Sequence, residues 1–200
     1  MKSFTCLTAA ACLLACSAYA GGQDLSRYDL STDEGVNAAR EAISGEKLDE
    51  YSKNCIRRNS DLPRVVAVGG FAFDLGCRFQ GVFVDSHYFE KDDAALSTKA
   101  LDALGWKTAS REQRERLARL WVESGLLPFN RVLAQRNKDF QNRPFQSPQV
   151  VSKNNGEVIV TLWIGLPPGM RRGRGYQLLE YRFSTDGDLS GSSTLENLSL

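Results

Sequence analysis

The sequence predicts an α+β fold, with N-terminal and central amphipathic helices packed on a largely antiparallel sheet that ends in a C-terminal meander. Three observations lead there. An Asn154-Asn155-Gly156 turn is flanked by Val150-Val151 and by residues 157–164, in which Val158, Val160, Leu162 and Ile164 share one side of a period-2 pattern. Residues 177–183 add a further alternating run. Earlier segments carry helical periodicity with start and stop signals, and a sheet with one apolar face needs such helices to cover it. Asn155-Gly156 suits a type I′ hairpin turn.

The 200 residues are 42% hydrophobic and 24% charged, which is an ordinary globular composition on a chain long enough for a real core. Residues 1–20 stand apart as a signal peptide. Lys2 precedes a short apolar run over residues 9–15, and Ala18-Tyr19-Ala20 is an A-x-A cleavage pattern before Gly21. The run is too short to span a bilayer as a helix. Leu13-Leu14-Ala15-Cys16 offers a competing cleavage box of the bacterial lipoprotein kind, with Leu14 where a small residue is usual; Cys16 would then carry lipid and anchor the domain to a membrane. Residues 21–189 are expected to form one domain and 190–200 a flexible, Ser-rich tail. The product is exported, periplasmic or secreted, with a lipid-anchored form as the alternative.

Cys6 and Cys12 leave with the leader, and Cys16 leaves or is lipidated, so Cys55 and Cys77 remain in the folded part. Two cysteines in an exported domain predict one disulfide, whose loop closure is worth about 3 kcal/mol in the chain-entropy model. A free catalytic thiol is the weaker reading, because it needs a basic partner and protection from oxidation.

Removing Lys2 with the leader leaves 24 basic against 24 acidic residues. The distribution is uneven: residues 21–63 hold nine acidic and six basic groups, residues 107–143 four acidic and nine basic. Nucleic acid would require a concentrated basic face, and export makes it a poor partner. An acidic protein or an envelope component fits better.

Along the chain, Thr32 or Asp33 caps a first helix with Val36, Ala39 and Ile43 on one face, stopped by Gly45. A second helix over residues 46–58 would place Leu48, Tyr51 and Cys55 together. Residues 64–73 read as two short strands around a Gly69-Gly70 turn, and residues 77–84 as another, giving a sheet of five or six strands. Neither G-x-x-x-x-G-K-S/T nor G-x-G-x-x-G occurs there. Residues 92–104 predict a third helix ended by Gly105. Ser110-x-x-Gln113 is a capping box opening a fourth, with Leu117, Leu120, Trp121 and Ser124 on one side and Gly125 as its stop. Pro128 opens a short helix carrying Phe129, Val132 and Leu133, and residues 137–149 link it to the hairpin.

His87 is the single histidine. As a general base it would draw on Ser86 and on the carboxylates Asp74, Asp85 and Glu90, but adjacent side chains face each other poorly and the stretch is not itself a triad. No His-x-x-x-His or paired-cysteine spacing suggests a metal, and no cofactor is implied. Residues 167–175 combine two prolines and three glycines with Arg171, Arg172 and Arg174. This is a basic connection that presents forked donors to carboxylates or phosphates, or else a solvated loop. The leading function is an exported non-enzymatic binding protein, inhibitory or protective, that recognises an acidic protein or envelope ligand. The alternatives are an envelope hydrolase using His87 with nearby carboxylates, and a structural envelope lipoprotein. Intact-mass analysis of the exported product is expected to show a first residue of Gly21, or of Cys16 with lipid added; a product retaining Met1 in the cytoplasm contradicts both.

Overall fold

The computed structural model describes residues 25–73, 76–91, 95–126, 132–133, 148–165 and 175–199. The chain is α+β, with helices against antiparallel strands, but the strands form two sheets and not one. The first has the order β1 (Ile56–Arg58), β2 (Val65–Ala72), β3 (Gly76–Val84), β4 (His87–Glu90). The second has the order β5 (Val132–Leu133), β7 (Val158–Gly165), β8 (Gly175–Phe183), β9 (Leu189–Ser199), with β6 (Gln149–Ser152) also paired to β7. The split follows from the side chains of β2, which are apolar on both faces. Val66 and Val68 pack with Val36 and Ala39, whereas Val65 and Ala67 join the main core. A strand covered on both faces belongs inside a layered packing, not at the edge of a meander with one wet face.

Helix α1 (Asp33–Ser44) forms as expected: the Thr32 hydroxyl accepts from Gly35 N, and Gly45 closes the helix at φ 72°. The expected second helix over residues 46–58 is cut to a single turn, α2 (Glu50–Lys53). Asp49 Oδ1 accepts from Tyr51 N at 2.9 Å and Ser52 N at 2.8 Å, which starts the helix at Glu50, four residues late. Its end is set by sheet pairing, because Cys55 O accepts from Gly69 N at 2.8 Å and Ile56 pairs with Val68. Leu48, Tyr51 and Cys55 therefore share no helical face. Gly69-Gly70 likewise makes no turn, and β2 runs through both with a register shift between Val68 and Gly69. The Gln80 side chain lies over Gly70, where an added Cβ would sit 2.6 Å from Gln80 Nε2.

Arg40 holds these pieces together. It is 5% exposed, and its guanidinium donates to Asn37 Oδ1 (2.9 Å), to Ser52 O (2.9 Å) and to Gly69 O, so α1, α2 and the irregular point of β2 meet on one cation. Burial pulls its pKa below the usual value, and the nearby charges of Asp49 and Glu41 act the other way. The Cys55–Cys77 disulfide joins the same region to β3, with Cα atoms 5.4 Å apart, as the two-cysteine count predicts.

The main core draws on both sheets and the helical segment. Helix α3 (Leu96–Ala103) gives Leu101, and Trp106 follows in a 3-10 turn (Trp106–Thr108). Helix α4 (Arg111–Trp121) opens with the expected capping box and gives Leu120 and Trp121. Trp121 Nε1 donates to Ser97 Oγ at 3.2 Å, so its one polar atom is satisfied inside the core. Gly125 does not stop α4, which continues as a π-turn over Val122–Leu126. Val132 and Leu133 are not helical; they pair with Gly165 and Ile164 of β7.

The β6–β7 hairpin forms at Asn154-Asn155-Gly156, but not with a type I′ turn. Lys153 N donates to Glu157 O (2.8 Å) and Gly156 N to Lys153 O (3.0 Å); Gly156 has φ 83° while Asn155 keeps a negative φ. A type I′ turn needs both central residues at positive φ, so this is a longer loop with the glycine at its bulge. The β8–β9 turn repeats the design with Ser184, Gly187 (φ 87°) and Asp188. The turns stand side by side, since a Cβ on Gly156 would lie 2.6 Å from Thr185 Cγ2. Residues from Ser190, expected as a flexible tail, are the last strand instead. Trp106 Nε1 donates to Thr185 O at 2.9 Å, and that buried indole fixes the turn that sends β9 back along β8.

Replacing Arg40 by Met should keep the volume and strip the carbonyls of Ser52 and Gly69 of their buried donor. Denaturant unfolding should show a loss of about 2–4 kcal/mol with the slope unchanged.

Candidate functional site

Asp85, His87 and Glu90 do not converge. Asp85 sits in the two-residue turn between β3 and β4 at φ 51°, and its carboxylate is gripped by Arg64, with Nε to Oδ1 at 3.0 Å and Nη2 to Oδ2 at 2.6 Å. Arg64 also donates to Ala103 O at 3.0 Å, so the pair ties this turn to the end of α3. The hydrogen bond from Arg64 holds the Asp85 carboxyl below its ordinary pKa. His87 pairs with Val84 and Glu90 with Gly81. Three positions apart on a strand, their side chains leave opposite faces. Asp74 lies outside the described residues, as do Arg171, Arg172 and Arg174.

Cys16 also lies outside them. The expectation of a partner reached through a cysteine-borne membrane anchor is corrected by the folded domain: Cys55 and Cys77 are bonded to each other, and a sulfur in a disulfide offers no thiol to a lipid. No helix among the described residues is long and apolar enough to cross a membrane.

A cleft beside the β6–β7 turn is lined by Arg111, Arg114, Ser152 and Lys153. Its cations are committed to the fold. Arg111 donates to Ser152 O at 3.0 Å, Arg114 to Trp106 O at 3.0 Å, and Lys153 pairs with Glu157 at 2.8 Å.

The surface that stands out is aromatic. Phe73, just past β2, is 88% exposed, and Tyr51 on α2 is 59% exposed. Tyr51 stacks on Phe71 with ring centroids 4.9 Å apart, and Phe73 meets both rings edge-on at 6.1 and 5.7 Å. The three rings form a small platform at the tip of the β2–β3 hairpin. Its support is cross-linked and hydrogen-bonded. Phe71 pairs with the disulfide residue Cys77, and Phe71 N donates to Ser52 Oγ at 2.9 Å. Ser52 in turn donates to Asp49 Oδ2 at 2.6 Å, which lowers the Asp49 carboxyl from its ordinary pKa. Tyr51 and Phe73 are exposed and Phe71 is half-buried beneath them, so the rings make an apolar patch on the surface.

The sequence reading missed this platform. Periodicity groups Tyr51 with Leu48 and Cys55 on one face of a long helix and puts residues 64–73 in two short strands. The missed signal is Asp49-x-x-Ser52, a cap pattern that begins a helix at residue 50 and turns Tyr51 outward.

No family model, curated protein or solved structure matches the chain.

Asp85 gives a pH test of its structural role. A depressed carboxyl pKa stabilises the fold above the unfolded value near 3.9, and that contribution disappears as pH falls through the lower folded value. Both partners are about half exposed, so screening keeps the effect well under about 1 kcal/mol. Asp85→Asn should lower stability slightly at pH 7 and flatten its dependence below pH ~4, measured by urea unfolding across pH.

Proposed function

We propose that the chain is an exported, non-enzymatic binding protein whose recognition surface is the Tyr51, Phe71 and Phe73 platform. The observation that carries this reading is the 88% exposure of Phe73 within a cluster of three aromatic rings. Binding energy concentrates in a few aromatic anchors that enter a partner's pocket, and anchors already held in place lose little side-chain freedom on binding. The disulfide and the Asp49–Ser52–Phe71 hydrogen bonds supply that preorganisation. Export is supported by the leader pattern of residues 1–20 and by a disulfide in the domain, since such bonds persist in oxidising compartments. The partner chemistry that suits the platform is an apolar pocket or groove on another exported protein. On the same helix turn as Tyr51, Lys53 is paired with Glu50 at 2.6 Å.

Burying the Phe73 ring should contribute about 1.5–3 kcal/mol, which is about 10- to 100-fold in affinity. Affinity capture from envelope extract should therefore recover a partner with the parent protein and lose it with Phe73→Ser. Circular dichroism should confirm that the variant folds. Equal recovery with both proteins overturns the reading.

A further inference from the structure

We infer that the outer edge of β9 pairs with β9 of a second copy of this chain, joining two C-terminal sheets into one. The strand runs from Leu189 to Ser199 and is hydrogen-bonded to β8 on one side. Among the described residues nothing pairs with its other side. That side carries a row of main-chain N–H and C=O groups, and such a row is a template for another strand.

The other sheet edges are short. In the first sheet they are β1 with three residues and β4 with four. In the second, the far side of β7 is occupied by β5 with two residues and β6 with four. The β1 edge also carries Arg57 and Arg58, and β4 carries His87 and Glu90. Short length and charge are the usual protection of an edge. β9 has eleven residues, no lysine, no proline and one charge, Glu196.

The details of β9 favour a copy of itself. An antiparallel pair of identical strands has a two-fold axis, so each residue meets one at the mirrored position. Like charges facing across strands are unfavourable. With the axis at Ser193, Ser192 faces Thr194 of the copy and Glu196 falls beyond the paired stretch, so the single charge does not meet itself. The segment Gly191 to Thr194 keeps unbroken register with β8, from Arg182 to Leu179. Bulges bound it on either side: Leu195 is the extra residue at one shift and Ser190 at the other. Bulges increase twist and limit how far an edge can be extended, which confines pairing to this central stretch. There the neighbourhood is open. Residues 192–197 are exposed. Leu195 at 52% and Leu189 at 37% exposure supply apolar side chains that the second copy would cover.

Sedimentation velocity of the mature protein over a dilution series tests the inference, together with hydrogen exchange of the β9 amides at low and high concentration. The parent should pass from monomer to dimer, with β9 amides gaining protection in step. The double substitution Ser192→Lys with Thr194→Lys puts like charges across the two-fold and should weaken the dimer more than about tenfold. Both positions are exposed, and an unchanged circular dichroism spectrum checks the fold. Phe73→Ser should leave the dimer intact, which separates this inference from the binding role of the aromatic platform. A parent that stays monomeric, or a dimer that survives both lysines, overturns the inference; so does a dimer lost only with Phe73→Ser.

Discussion

A buried guanidinium sets the geometry of the N-terminal half. Arg40 gives its N–H groups to oxygens on three elements, and a cation this far from water needs each of them. Its demand for Ser52 O holds α2 against α1, and its demand for Gly69 O fixes β2 where the pairing slips a register. With α2 and β2 held, Cys55 is brought opposite Cys77 and the disulfide can close. The aromatic platform is the outward consequence: Tyr51 is on the solvent side of the same short helix whose Ser52 faces Arg40.

The larger core obeys a different constraint. Two indoles, Trp106 and Trp121, must bury wide apolar rings while each finds a partner for one N–H. Trp121 satisfies itself within the helical segment, through Ser97. Trp106 reaches the second sheet at Thr185 O, and packs 6.2 Å from Phe183 under the guanidinium of Arg114. Through that contact a helix connection decides where the last hairpin turns. The ion pair of Arg64 with Asp85 does similar work on the first sheet, fastening its β3–β4 turn to α3.

These constraints also distribute function. Among the described residues, Asp85 is held by Arg64, and His87 and Glu90 leave opposite faces of β4. The two surfaces proposed for binding lie on different sheets: a side-chain platform on the first and a main-chain edge on the second. The partners proposed for them differ accordingly, a shaped apolar pocket for one and an extended strand for the other.

Local chemistry determined much of this chain unaided. The Thr32 cap and Gly45 stop of α1, the Ser110 to Gln113 box of α4, the Gly105 break, the alternation of β7 and the pairing of Cys55 with Cys77 all follow from residues acting on near neighbours or from a count of two thiols. Tertiary structure decided what depends on distant partners. Periodicity could not distinguish one sheet from two, because β2 is apolar on both faces and only packing says what covers each. It placed a long helix at residues 46–58 because nothing local announces that Gly69 N will claim Cys55 O. Asn155-Gly156 gave the hairpin but not its turn type: the hairpin closes as a longer loop with Gly156 at the bulge. Residues after Leu189 read as a polar tail, since serine and asparagine are weak strand formers. They became β9 because Trp106, far earlier in the sequence, pins the turn and β8 offers a complete row of hydrogen-bonding partners.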